Sequence, residues 1–403
     1  MRHLTQNWHV NILGFVLFLF TAVLLLIADN LSISYKEALT FYDEKNLLHY
    51  LSNLSVYFLG QSNIALRFPF ILFYVLSVIL MYKMTADYFK YESDRLISVL
   101  IFMFLPGIIG ASLLVNNSII VIFCTILYLY YYRTYNRHNY VLLFIFVFLD
   151  NSFAILFLAL FFYAMKNRQN QLFIISLILF GLSMYIFGFD TFGKPKSHIL
   201  DTFAIYASIF SPLLFLYFFY SMYRIGVKGK RSIYWYVSMT AFLFSFLLSF
   251  RQKIYIEDFA PFVVVTVPLM MKLFFHSLRV RLPRFRDKHY KVAALTLFLL
   301  FVNVGVILFN KPIYLMLKQS DDHFAYNYHF ADEIAQLLQK SNIYTVTSND
   351  YKLLKRLEFY GIHTDKKSTN FISIKPLNVY DKKFQIDYFN TNILNIYYVN
   401  LKK

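Results

Sequence analysis

The sequence predicts a mainly α fold: a polytopic membrane helix bundle of about 11 membrane segments, with a small α/β domain at its outer-face C-terminal end. Three observations predict it. Of 403 residues, 59% are hydrophobic and 15% charged, against roughly 25% charged in a soluble domain. The apolar residues gather in runs of about 20, the length a helix needs to cross the hydrocarbon core. From Lys311 onward the runs shorten and charges become dense, so the expected domains are 1–310 and 311–403.

Apolar runs fall at 10–28, 68–86, 96–115, 117–132, 140–165, 171–188, 203–223, 232–250, 259–275 and 291–309. The first, "VNILGFVLFLFTAVLLLIA", is as long as a full span and no small-x-small site follows it. It is therefore expected to remain as a helix rather than be cleaved. Residues 140–165 are long for one span and short for two, with Asp150 and Asn151 at their middle. Basic residues decide between the two. With a cytoplasmic N-terminus and a hairpin at 140–165, the clusters "RIGVKGKR" and "RVRLPRFRDKHYK" lie inside, as the positive-inside rule asks. A single span there would put both outside. The expectation is a multi-pass protein of the inner (plasma) membrane whose residues after 310 lie outside the cytoplasm.

Within that last part, "HFADEIAQLLQK" and "DYKLLKRLEFYGI" have helical periodicity, while "NIYTVTS" and "NILNIYYVNL" alternate as strands. Residues 29–67 form the first outer loop. Ser34 can cap a helix starting at Tyr35, and Ala38, Phe41, Tyr42, Leu48, Leu51 and Phe58 recur at helical spacing up to Gly60. One amphipathic helix on the membrane surface is expected there. Lys194 and Lys196, in "FGKPKS", read as a turn.

Composition also excludes. The net charge of +17 is spread in short clusters between apolar runs, as in membrane loops, so no nucleic-acid partner is expected. The single cysteine, Cys124, sits in an apolar run and rules out internal disulfides or a cysteine-based metal site. The ten histidines show no ligand spacing, so neither a metal nor another cofactor is expected. With 11 glycines and no internal repeat, a transporter is the last of the readings.

The run "KEALTFYDEKNLLHYLSNLSVYFLGQSNIALRFPFILFYVLSVILMYKMTADYF" resembles the start of the C-type integral-membrane glycosyltransferases (GT-C), the superfamily of protein O-mannosyltransferases and lipid A aminoarabinose transferases. In that family an Asp-Glu-Ala motif opens the first outer loop, and "YFLGQSNIALRFPF" is similar to the stretch that enters the second span. "SFRQKIYIEDFAPFVVVTVPLM", residues 249–270, is similar to a later basic segment followed by a span, and "LLKRLEFYGI" to part of the outer domain. Two positions depart. The Asp-Glu pair is Lys36-Glu37 here, and after the third span, where many relatives carry an acid, "LLVNNSII" offers Asn116 and Asn117.

The resemblance implies transfer of a sugar from a polyprenyl-phosphate carrier to a lipid, glycan or protein acceptor on the outer face, with inversion at the anomeric carbon. Such chemistry needs a carboxylate to deprotonate the acceptor hydroxyl and cations to hold the leaving phosphate. Glu37 is the catalytic candidate. Arg67, Arg251 and Lys253 are the phosphate candidates, and Asp43, Glu44 and Asn117 the further substrate contacts. Each has a bland counterpart. Ser34-x-x-Glu37 is also a capping box, Asp43 and Glu44 suit a solvated helix face, and Arg67, Arg251 and Lys253 suit anchors to lipid headgroups. A catalytically degenerate scaffold or assembly partner is the alternative that Lys36 supports.

Overall fold

The computed structural model describes residues 2–188, 196–365, 369–389 and 391–400, with the side chains of residues 2–7 left aside. Lys194 lies outside the described residues. Where apolar runs meet a medium without water, backbone polar groups must pair within the segment, which makes helices. They are α1 (Arg2–Asp29), α2 (Tyr35–Tyr42), α3 (Leu47–Leu59), α4 (Asn63–Met84), α5 (Glu92–Met103), α6 (Pro106–Leu113), α7 (Ser118–Tyr135) and α8 (Tyr140–Leu149). There follow α9 (Phe153–Asn167), α10 (Asn170–Phe187), α11 (Ile199–Phe210), α12 (Pro212–Lys228), α13 (Ile233–Ser249), α14 (Ala260–Val264), α15 (Val267–Val280) and α16 (Pro283–Leu308). The C-terminal part holds α17 (Ala331–Lys340), β1 (Thr345–Val346), α18 (Tyr351–Glu358), β2 (His363–Thr364), β3 (Asn370–Ser373), β4 (Lys382–Tyr388) and β5 (Thr391–Asn400).

By length and apolarity, 6 helical spans among the described residues can cross a membrane, and up to 8 if each of two bent pairs is one span. The chain is a multi-pass membrane protein. Beside these spans stand three shorter apolar helices, α8, α9 and α13, and other apolar runs are interrupted. The run 203–223 forms two helices, α11 and α12, bent by 104° where Pro212 removes a donor and Ser211 takes φ +75°. The run 96–115 bends by 52° between α5 and α6, again before a proline.

The run 140–165 breaks at Asp150, whose Oδ1 accepts the Ser152 amide at 3.0 Å. His138, just before α8, lies 3.2 Å from the Gln169 side chain just after α9, so α8 and α9 run antiparallel. With 10 residues, α8 is about 15 Å long, half the hydrocarbon thickness.

Residues 1–21 and 70–307 form one compact unit, and residues 22–69 and 308–403 a second. This division departs from 1–310 and 311–403, because the loop 29–67 packs with the C-terminal segment. Ser32 N donates to Tyr328 O at 2.8 Å, and Arg356 Nε to Ile33 O at 2.8 Å. In this second unit β1 and β2 pair in parallel, β3 and β4 flank β5 in antiparallel register, and a bridge from Thr347 to Phe371 ties the two sheets. Ile334, Leu338, Val346, Leu353, Leu357 and Ile372 fill the core beneath them.

The single amphipathic helix expected over 35–60 is two helices. Asp43 caps the end of α2, and the Asn46 side chain caps α3 by accepting from His49 N at 2.9 Å. On α3, Leu54, Tyr57 and Phe58 remain exposed.

Candidate functional site

In the second unit, Ser34 takes the extended conformation of an N-cap, and a complete capping box forms at the start of α2. Glu37 N donates to Ser34 Oγ at 3.3 Å, while Glu37 Oε2 accepts from Ser34 N at 2.9 Å. The same Oε2 receives Arg67 Nη2 at 3.2 Å. Arg67 also donates to the carbonyls of Leu31 at 2.8 Å and Ser32 at 3.0 Å. The two side chains are 0% and 3% exposed. A guanidinium surrounded by carbonyls and one carboxylate is a structural tie whose charges are mutually satisfied.

Its surroundings extend the tie. Tyr360 OH accepts from Ile33 N at 2.8 Å and donates to Asn63 Oδ1 at 2.7 Å. Burial first, with further influence from Asp332, pushes its hydroxyl up to about 12, so it stays a neutral donor. Asn63 Nδ2 donates in turn to Asp29 O at 3.0 Å and to Asp332 Oδ2 at 3.1 Å. Burial lowers the Arg356 guanidinium from its ordinary value, and Arg356 Nη2 donates to His329 O at 2.6 Å. Asp43 pairs with Lys355 at 3.0 Å. Glu44 accepts from Thr40 Oγ1 at 3.0 Å and from Asn46 Nδ2 at 2.8 Å. Of the candidates in this unit, Glu37 and Arg67 meet, while Asp43 and Glu44 have separate partners.

In the first unit, Asn117 lies just before α7 and donates from Nδ2 to Asp150 Oδ2 at 2.5 Å. Its Oδ1 is buried without a hydrogen-bond partner among the described residues. Next to it, Ser118 Oγ donates to Glu257 O at 3.3 Å. A cavity of about 160 Å³ opens beside α9, α10 and α13. Ile155, Leu158, Phe180 and Phe244 give it apolar walls, while Ser152, Lys253 and Asp258 add polar groups from the helix break and the 251–258 loop.

Both Arg251 and Lys253 are exposed; Lys253 lines the cavity and Arg251 does not, and the Arg251 carbonyl accepts from Lys196 N at 3.0 Å. Ser152 and Asp258 were not among the site residues expected from sequence. Asp258 stands in "RQKIYIEDF", where attention falls on the cations. Among the described residues, no group of three or more His, Cys, Asp or Glu is placed to hold a metal ion.

Residues 46–150 match a family model described as dolichyl-phosphate-mannose-protein mannosyltransferase. The chain is similar to that family over this stretch. The match is about a quarter of the 403 residues; it includes Arg67, Asn117 and Asp150 and leaves out Glu37, Arg251 and Lys253. A search against curated proteins finds no match to the chain. Together the two sites offer a buried ionic tie in one unit and, in the other, an apolar cavity with a cation and a carboxylate on its wall.

Proposed function

We propose that the protein is a membrane glycosyltransferase that moves a sugar from a polyprenyl-phosphate carrier to a lipid, glycan or protein acceptor on the outer face of the plasma membrane, with residues 311–403 on that face. The similarity of residues 46–150 to mannosyltransferases supports the reaction class. The observation that supports a location for the reaction is Lys253 on the wall of a cavity with several apolar residues in its lining. Apolar walls suit the first isoprene units of a carrier, and an ammonium suits its phosphate as a point charge. Arg251, two residues away and exposed as Lys253 is, is proposed as a second cation for the phosphate.

When the acceptor oxygen attacks the anomeric carbon, negative charge grows on the phosphate oxygen that leaves. A cation fixed beside that oxygen stabilises the transition state more than the ground state, which is what raises kcat. Asn117, with its buried Oδ1, is proposed to accept a hydrogen bond from a sugar hydroxyl. Asp43 and Glu44 are proposed as substrate contacts. Glu37 is assigned to the ion pair with Arg67 rather than to proton transfer.

The test is to reconstitute the full chain in liposomes with radiolabelled polyprenyl-phosphate mannose and membranes of the source cells. Label transferred to acceptor together with released polyprenyl phosphate supports the reading; no release from any of a panel of polyprenyl-phosphate hexoses removes it. A second reading, a non-catalytic scaffold, is favoured by the occupied Glu37 carboxylate and by Lys36 in place of an acid. A protein that binds polyprenyl phosphate but never turns it over fits that alternative.

A further inference from the structure

We propose that Arg133 and Lys272 form a binding site for the phosphate of an anionic phospholipid, built on the ring of Tyr88. It is independent of the glycosyltransferase reading, since none of the three residues lines the cavity that holds Lys253. The two cations come from different helices of the first unit. Arg133 stands in the last turn of α7, and Lys272 lies on α15, inside the span Ala260–Val280. Both meet Tyr88, in the connection between α4 and α5. The Lys272 ammonium is 4.2 Å from the centre of its ring, and the Arg133 guanidinium 5.5 Å.

Three observations point to an anion. First, no acid answers these charges. Among the described residues, neither Arg133 nor Lys272 has an ion pair with a carboxylate. Other cations of the same unit are treated differently: Arg95 pairs with Glu92 at 3.0 Å, and Arg279, also on α15, pairs with Asp94.

Second, Arg133 and Lys272 are close enough to repel each other, and a negative charge shared between them turns that repulsion into attraction. Third, Lys272 is an ionisable group set inside an apolar span, where such groups are costly and mark a functional partner. A lysine that merely snorkels needs no fixed contact, whereas this ammonium rests on a ring from another segment. The same position selects the ligand. A free phosphate stays in water, while a phosphate that meets an ammonium inside an apolar span comes with acyl chains attached.

The platform beneath the cations is held in place. Tyr88 packs edge-on against Tyr234 at the start of α13, with ring centres 6.0 Å apart. Its neighbour Phe89 packs against Phe275 of α15 at 6.4 Å. A cation lying on a ring face keeps its N–H groups for other acceptors. Arg133 then offers phosphate oxygens a two-pronged fork and Lys272 a point charge.

The test uses the full chain purified in detergent, with phosphatidylglycerol as the probe and bound lipids counted by native mass spectrometry. One basic side chain facing an anionic headgroup is worth about a factor of five. Arg133→Gln and Lys272→Gln are therefore each expected to weaken phosphatidylglycerol binding about 5-fold, and the double variant about 25-fold. Lys272→Arg keeps the charge and is expected to stay within about twofold of the wild type. Arg284→Gln/Lys288→Gln, an exposed basic pair on α16, is expected to bind as the wild type does. Phosphatidylcholine, whose choline cancels its phosphate charge, is expected to bind every variant alike.

Equal phosphatidylglycerol binding by the double variant and the wild type overturns the site. An equal loss in the α16 pair, or the same loss with phosphatidylcholine, also overturns it, because the effect is then not that of a local phosphate contact. If inorganic phosphate raises the thermal midpoint of the wild type but not of the double variant, while phosphatidylglycerol binds both alike, the site takes free phosphate and the lipid assignment falls. Should the double variant fail to fold, Lys272→Gln against Lys272→Arg decides: a loss confined to the glutamine supports the site, and equal binding overturns it.

Discussion

Arg67 Nη2 lies 3.2 Å from Glu37 Oε2, with the two side chains 0% and 3% exposed, so the carboxylate and the guanidinium neutralise each other away from water. Removing one partner of a buried pair leaves the other uncompensated, at a cost of about 3–5 kcal/mol. Arg67→Met is expected to destabilise the protein by that order. The double variant Arg67→Met/Glu37→Gln is expected to lose less than the sum of the two single variants, because no lone charge remains. Unfolding of the four proteins in detergent micelles checks the cycle.

Ser34 and Glu37 also cap α2. Ser34→Ala removes the side-chain acceptor for Glu37 N and is expected to cost about 1 kcal/mol. Glu37→Gln keeps an oxygen for Ser34 N but loses the charge facing Arg67. Its expected signature is lower stability with kcat, per folded molecule, near that of the wild type. A fully folded Glu37→Gln protein without transfer activity refutes the structural assignment of this residue.

His329 gives the second unit a pH dependence with a definite sign. Its ring is buried, and Nδ1 lies 2.8 Å from Tyr314 OH. Burial first, then the positive charges of Lys311 and Arg356 and the neighbouring His323, lower its pKa from 6.5 to about 3. The folded state thus resists a proton that the unfolded state accepts. Stability from this group is fully present above about pH 6.5 and drains away as pH falls toward 3, at no more than about 1.4 kcal/mol per pH unit. His329→Gln is expected to flatten that acid limb, and unfolding midpoints between pH 7 and pH 4 measure it.

Gly107 on α6 is set by a close approach within the first unit. A Cβ at this position meets Ile209 Cγ2 at 2.5 Å and Ile209 Cβ at 3.0 Å, so α11 has to move or the side chain to strain. Gly107→Ala is expected to cost about 1–3 kcal/mol. Adding Ile209→Ala removes the clash and is expected to return part of that loss. Thermal midpoints of the single and double variants decide it.

Lys253→Ala is expected to weaken the donor and slow the reaction together, since a phosphate cation acts on both ground and transition states. Its test is a steady-state comparison with Lys253→Arg, which restores charge on a longer, planar group. Equal kcat/KM for Lys253→Ala and wild type takes this residue out of the phosphate site.

Features written in consecutive residues were the most legible. The run before Asp29 reads as a helix because its apolar length matches a bilayer, and Ser34-x-x-Glu37 reads as a capping box because its geometry is local. The break at Ser211 carries a proline signal, yet the surrounding apolar run concealed it. The pair of Glu37 and Arg67 was half legible. Each residue stood out separately, but 30 positions separate them, and helix periodicity says nothing about partners at that distance. Tyr360 and Asn63, 297 positions apart, carry no local signal.

Ile33 joins two segments that lie far apart along the chain. Its amide waits for Tyr360, 327 positions later, and its carbonyl for Arg356. A ribosome adding about 5–20 residues per second leaves those two groups without their final bonds for tens of seconds. A chain that stops before residue 356 leaves both Ile33 groups without these bonds.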